Sequence, residues 1–164
     1  MGQAKPTAAP QTPAAQKRGY DYQHFLFPWH WYAPETAKIQ EWEWKGIDFD
    51  ALHPTECHLY EAKHGYNGFL RHSDVPTPEW EHGVPELQEW ATRKGGTLQA
   101  FRRMVIQGRN QHLAVAPHNG EVHLTWVFSH GITRTYVGAL FLTEIDGWYH
   151  EMEVKPFGGQ NDTN

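Results

Sequence analysis

The sequence predicts an α/β fold with a mixed central sheet, built from a three-strand antiparallel meander followed by a long helix and further strands. Three observations predict it. Apolar and polar residues alternate in three short runs between Lys38 and Lys63, a helical stripe follows between Thr97 and Ala116, and alternation returns from Val122 to Phe128.

Taken in order, Met1 to Arg18 is Ala, Pro, Gln and Lys with almost no large apolar side chain, and reads as a linker that buries too little to offset its ordering entropy. Tyr20 to Tyr32 is dense in aromatics and histidines, is interrupted by Pro28, and is expected as an irregular segment or short helix lying on the core. From Lys38 to Lys45, Ile39, Glu41 and Glu43 alternate with Gln40, Trp42 and Trp44 as a first strand, and Gly46 marks a turn or bulge. Ile47 to Leu52 alternates again, with Ile47 and Phe49 on one face and Asp48 and Asp50 on the other, and His53-Pro54-Thr55 closes it. A third strand runs from Cys57 to Lys63.

Prolines and glycines between His64 and Gly96 predict a long loop, with one short helix from about Pro85 to Arg93. Thr97 is the candidate N-cap of a helix through Ala116, on which Leu98, Phe101, Val105 and Gly108 form a stripe, and Pro117 stops it. Val122, Leu124, Trp126 and Phe128 mark a fourth strand. Ile132 to Glu144 leans to helix by its spacing, although its β-branched residues weaken that reading; Tyr149 to Lys155 is a fifth strand. Gly158 to Asn164 is a polar tail expected to fray.

At 164 residues the chain is one domain with room for a hydrophobic core. Cys57 is the only cysteine, which excludes a disulfide framework and a multi-cysteine zinc site; it reads as a buried strand residue. No apolar run is long enough for a membrane span, so no membrane partner is expected. The net charge of −5 argues against a general nucleic-acid binder, yet its distribution is uneven. Acids cluster between Glu79 and Glu89, a surface that would suit a protein partner, while Arg93, Lys94, Arg102, Arg103 and Arg109 form a basic stretch that could grip a phosphate backbone. None of the twelve histidines shows the spacing of a zinc protease site, and they read as scattered polar residues, although His64, adjacent to Lys63, could touch substrate. The tryptophans read chiefly as core, with base stacking as the alternative use.

Chemistry concentrates at Glu61-Ala62-Lys63. On a strand, Glu61 and Lys63 share one face. If Asp50 ends the neighbouring strand, two carboxylates and an ammonium converge, an arrangement that can hold a hard divalent cation beside a phosphodiester.

The surrounding wording extends this pattern. Glu41-Trp42, Gly46, Phe49-Asp50, Cys57, Leu59, Glu61-Ala62-Lys63, Gly65-Tyr66 and Phe69 together resemble the restriction-endonuclease-fold toxin domains of the fifth Tox-REase group, within the PD-(D/E)XK nuclease superfamily. The resemblance covers Glu41 to Leu70 most strongly, with weaker support from the long helix and Thr125-Trp126. It implies a restriction-endonuclease-like fold, with a nuclease toxin domain over residues 19–157 between the linker and the tail. It also implies a metal-dependent DNase found in bacterial polymorphic toxins and type VI secretion effectors. Such an effector would act in the cytoplasm of a competitor bacterium and be held inactive in its producer by an immunity protein, with a chaperone or PAAR-type carrier for export.

By the same resemblance, Asp50 and Glu61, with the Ala62 carbonyl, would bind Mg²⁺ or Mn²⁺, and Lys63 would orient the attacking water or stabilise developing charge. Asp48 competes for the ligand role, and the family pattern, which places its acid directly after the Phe, favours Asp50. Position 51 departs from the family in having Ala where Gly is more frequent. Glu41 resembles the superfamily's upstream acid, its other reading being a solvated strand residue. Gln107 and Gln111 are both candidates for the polar helix residue contacting water or phosphate, with Gln111 favoured as nearer the fourth strand. A catalytically silent protein-binding module and an RNase are the alternatives. The intact set of Asp50, Glu61 and Lys63 speaks against the first.

Overall fold

The computed structural model describes residues 2–6 and 13–158. The order begins β1 (Gln3–Pro6), α1 (Pro13–Leu26), β2 (Tyr32–Ala33), β3 (Lys38–Trp44), β4 (Ile47–Phe49), β5 (Ala51–His53) and β6 (His58–Lys63). It continues with β7 (Leu70–His72), β8 (Pro85–Leu87), α2 (Glu89–Thr92), α3 (Gly95–Val115), β9 (His123–Phe128), α4 (Gly131–Glu144) and β10 (Glu151–Val154).

Two sheets share the meander. In the first, β3 is antiparallel to β1, β2 and β4. In the second, the order is β10-β9-β6-β5, with β6, β9 and β10 parallel and β5 antiparallel to β6. The parallel pairs require crossovers, and α3 and α4 supply them. The run expected as one strand from Ile47 to Leu52 is therefore two. Phe49 pairs with Trp42 in the first sheet, Ala51 pairs with Tyr60 in the second, and Asp50 is the bend between them.

The amino-terminal expectation needs correction. Gln3–Pro6 pairs with Gln40–Glu43 of β3, and α1 begins at Pro13, so the linker boundary at Arg18 falls inside a helix. Pro fits the first turn of a helix, the following Ala, Gln, Lys and Arg are strong helix formers, and Lys17 pairs with Asp21 one turn on. Residues 1 and 7–12, and the tail beyond Gly158, lie outside the described residues.

Other departures are local. Cys57 is an exposed turn residue at φ +47° rather than a buried strand residue. Thr97 lies within the first turn of α3, which starts at Gly95, and Leu98 is exposed. The expected helix from Pro85 contracts to α2, because Pro85–Leu87 pairs with β7. The segment from Ile132 is helical, as its spacing leaned.

The core lies where α3 and α4 pack on the second sheet. Trp126, Phe128, Phe141, Val137 and Leu59 are fully buried there, each large side chain contributing roughly 1.5–3 kcal/mol of apolar burial. Gly108 sits on α3 directly under Phe141, and a Cβ there would lie 2.7 Å from the ring. That close approach sets how deeply α3 seats, and α3 carries two residues of the site.

Candidate active site

Strand β6 runs between β5 and β9 and delivers Glu61, Ala62 and Lys63 at its carboxyl end. Its pairing with β5 stops at Tyr60, so the N–H of Ala62 has no strand partner on that edge. The Asp50 carboxylate takes its place, Oδ2 accepting the Ala62 N–H at 2.7 Å. The bend between the sheets thus brings Asp50 beside Glu61. Gln23 of α1 braces it by donating to the Asp50 carbonyl at 3.0 Å.

Glu61 is 2% exposed and accepts three hydrogen bonds. Its Oε1 accepts from Lys63 Nζ at 2.6 Å and from Gln107 Nε2 at 2.7 Å; its Oε2 accepts from Gln111 Nε2 at 2.8 Å. Lys63 also donates to Gln107 Oε1 at 2.9 Å, closing a triangle, and lies over the Trp126 ring. Gln111 is fully buried. Its amide also donates to the Asp48 carbonyl, and its Oε1 accepts from Trp126 Nε1 at 2.9 Å.

Both glutamines therefore reach the site from successive turns of α3, but they do different work. Gln111 has spent its polar atoms inside the protein, whereas Gln107 lines the open cleft. That cleft has a volume of about 950 Å³ and is walled by α1 on one side and by His64 to Phe69 on the other, with Glu41, Asp50, Glu61 and Lys63 in its lining.

Charge here is unbalanced. Burial, and then the neighbouring Glu61 and Asp48 charges, push the Glu41 carboxyl up to about 7. Burial followed by the Glu61 charge lifts Asp50 well above the ordinary carboxylate range, with Lys63 only partly offsetting this. Burial opposes the Lys63 ammonium, but the Glu61 and Asp50 carboxylates outweigh it and hold the group above its usual value. Three carboxylates face one permanent cation.

That surplus is an observation with which a divalent metal fits. The donors are carboxylate oxygens with backbone carbonyls nearby and no thiolate, the set preferred by a hard cation. Among the described residues no three His, Cys, Asp or Glu side chains cluster tightly enough to bind an ion alone. An ion here would complete its shell with carbonyl oxygen and water.

Other expected side chains stay outside the hydrogen-bonded cluster around Glu61. Asp48 is exposed and ion-paired with Lys5 of β1. Arg109 donates to the Glu144 carbonyl at the end of α4, 3.0 Å away. Arg103 lines a smaller hollow of about 350 Å³ that adjoins the cleft through Asp48 and Gln107. In the acidic region, Glu86 pairs with Arg71 at 2.6 Å and Glu89 pairs with Arg93, so its charge is partly neutralised locally.

The cleft also holds residues that sequence reasoning passed over. Gln16, Tyr20 and Gln23 line it from α1 at the i, i+4, i+7 spacing of one helix face, a polar stripe that the linker reading obscured. His64 and His130 line it near Lys63. Burial, together with the His130 and Arg18 charges, lowers the His64 imidazole.

No helix among the described residues is long and apolar enough to cross a membrane. No curated protein matches the chain. The family model of restriction endonuclease fold toxin 5 matches residues 20–131, a span containing Glu41, Asp50, Glu61, Ala62, Lys63, Gln107 and Gln111. With the mixed sheet, the long helix, and the acids and lysine gathered at the end of β6, this match over two thirds of the sequence places the chain in the restriction endonuclease fold toxin 5 family.

Proposed function

We propose that the domain is a divalent-metal-dependent DNase. The observation that carries this reading is the three-carboxylate, one-ammonium cluster at the end of β6, where burial and then the Glu61 charge hold Glu41 and Asp50 above the ordinary carboxylate range. Asp50, Glu61 and the Ala62 carbonyl would hold Mg²⁺ or Mn²⁺. When bound, the ion supplies positive charge to the scissile phosphate and brings the attacking water to it.

The chain's own residues do the rest. Glu61 Oε1 already accepts two hydrogen bonds and Oε2 one, which leaves a lone pair on Oε2 for a ligand. Asp50 Oδ1 accepts no hydrogen bond among the described residues. Lys63 stays an ammonium at neutral pH, so it serves as a point charge against the negative charge developing on phosphorus oxygens, not as a base. Gln107 steers that ammonium and faces the substrate. Gln111 is a positioning residue that fixes the Glu61 rotamer, itself held by Trp126. Glu41, near half-protonation at neutral pH, adjusts its charge as positive charge enters or leaves.

The family supports the biological setting: a toxin delivered into the cytoplasm of a competing bacterium, as in type VI secretion, and neutralised in the producer by an immunity protein. A chaperone or PAAR-type carrier would accompany its export.

Plasmid nicking tests the chemistry. Cleavage is expected with Mg²⁺ or Mn²⁺ and not with EDTA, and Glu61→Ala or Lys63→Ala should reduce it by on the order of 10²- to 10³-fold or more. Cleavage indifferent to EDTA and to both substitutions overturns the mechanism. RNA offered in the same assay separates a DNase from an RNase.

A further inference from the structure

His64 follows directly on the Glu61-Ala62-Lys63 triplet, where β6 ends, and it is held by a cluster of its own. Its Nδ1 lies 2.9 Å from the hydroxyl of Ser129, a residue 1% exposed. The same hydroxyl accepts the Gly65 N–H at 3.1 Å and lies 2.7 Å from His130 Nδ1. The parallel register makes this meeting obligatory. Lys63 pairs with Phe128, and the Ser129 N–H donates to the Lys63 carbonyl at 3.0 Å, so the next residue on each strand must adjoin.

A hydroxyl has one hydrogen to give. Because Ser129 also accepts the Gly65 N–H, it donates to one Nδ1 and accepts Nδ1–H from the other, so the two rings differ in whether Nδ1 carries a proton. Which nitrogen of an imidazole carries the proton follows from the bond made by its partner nitrogen. When Ser129 donates to His64 Nδ1, the proton of His64 is on Nε2, the ring atom with no partner among the described residues. His64 lines the cleft. The cluster can thus present an N–H donor to the cleft while keeping the Ser129 hydroxyl bonded to both Nδ1 atoms and to the Gly65 N–H.

We propose that His64 is a second anchor for the substrate, its Nε2–H donating to a non-bridging oxygen of the phosphodiester next to the one cleaved, with Ser129 as the positioning residue that sets its tautomer. This rests on the nuclease reading of the cleft. Lys63 Nζ is committed to Glu61 and Gln107 at the centre of the site, whereas His64 leaves the strand end towards Ser129, so the two side chains serve different phosphates. Contacts of this kind fix register on the backbone without reading bases.

The test compares two amides in the full chain, using Mg²⁺-dependent cleavage of a labelled DNA oligonucleotide. In His64→Gln the side-chain amide reaches the position of Nε2; in His64→Asn it replaces Nδ1 and reaches only Ser129. Both lose the ring, so the comparison isolates the donor. His64→Gln should keep KM within about threefold, while His64→Asn should raise it about tenfold or more with a much smaller change in kcat. Ser129→Ala should raise KM to an intermediate degree and Ser129→Thr, which keeps the hydroxyl, should restore it.

Equal KM changes in the two amides, a wild-type KM in His64→Asn with loss in His64→Gln, or a fall confined to kcat each overturns the proposal. A wild-type chain that cleaves nothing with either metal removes the nuclease reading and this inference together. A wild-type chain that cleaves normally but fails the amide comparison removes the inference alone.

Discussion

Consecutive residues of α3, Gln111 and His112, serve two buried polar clusters of opposite character. Their side chains diverge by roughly 100° around the helix. Gln111 enters the carboxylate cluster with Glu61, Asp50, Glu41 and Lys63. His112 Nδ1 instead meets His150 Nε2 at 3.0 Å, beneath Trp148 and Tyr149, with both histidines 8% exposed. The histidine pair is neutral and mutually satisfied. The carboxylate cluster holds Glu61 by three hydrogen bonds yet sets three carboxylates against one ammonium. A polar cluster that balances its own charge serves stability, while one with surplus charge fits the proposed binding site.

The two clusters should respond to pH in opposite directions, and that is the first way to break the comparison. Burial, then the neighbouring His112, lowers His150 from 6.5 to about 4. Between those values the unfolded chain holds more protons than the fold, so stability is complete above about pH 6.5 and falls by up to about 3 kcal/mol as pH drops towards 4. His150→Gln should flatten that acid limb in urea midpoints measured near pH 7, about 5.5 and about 4.5. An unchanged slope would mean the pair is not buried as described.

Glu41 has the reverse sign. Its carboxyl, raised from 4.5 to about 7, is protonated more readily in the fold than in the unfolded chain. Its contribution is therefore complete below about pH 4.5 and is lost as pH rises through 7. Allowing for its partial exposure, Glu41→Gln should be more stable than the parent by about 2 kcal/mol near pH 8 and equal to it in acid. Mg²⁺ should reproduce much of that gain in the parent and little of it in Asp50→Asn, because a cation removes the same excess charge. A stabilised variant with damaged activity is the expected trade at a functional site.

The smallest effect concerns the helix that carries both clusters. In Gly108→Ala a methyl would meet Phe141, a clash worth about 1–3 kcal/mol that the better helix propensity of Ala offsets by about 1. A net loss of about 1 kcal/mol, or a Tm drop of roughly 2–4 °C, is expected from thermal unfolding. If α3 is lifted as a unit, the Glu41 and His150 limbs of the pH profile should shift together.

Much of the fold was legible because its signals are local. Alternation located β3, β6 and β9, and Pro117 marked the end of α3. The amino-terminal strand and helix were obscured because Ala, Gln and Lys signal low complexity and helix equally well, and because β1 is specified by its partner β3 more than by its own four residues. Asp50 and Glu61 stood out as carboxylates beside apolar strands, but the bend that brings Asp50 to Ala62 depends on the two sheets being separate, which no local pattern states. His64 and Ser129 are 65 positions apart, and only the register of β6 on β9 brings them together. Gln107 and Gln111 were visible as a pair on one helix face. Their division of labour was not, because it depends on how far α3 sinks against Phe141.

Asp50 belongs to neither strand that flanks it. Its position is the resultant of two independent frames, the sheet around β3 and the sheet around β6, as the pin of a hinge takes its place from both leaves. Its carboxylate meets the Ala62 N–H only because both leaves hold it at once, the outer through Phe49 on Trp42 and the inner through the Asp50 N–H on the Tyr60 carbonyl.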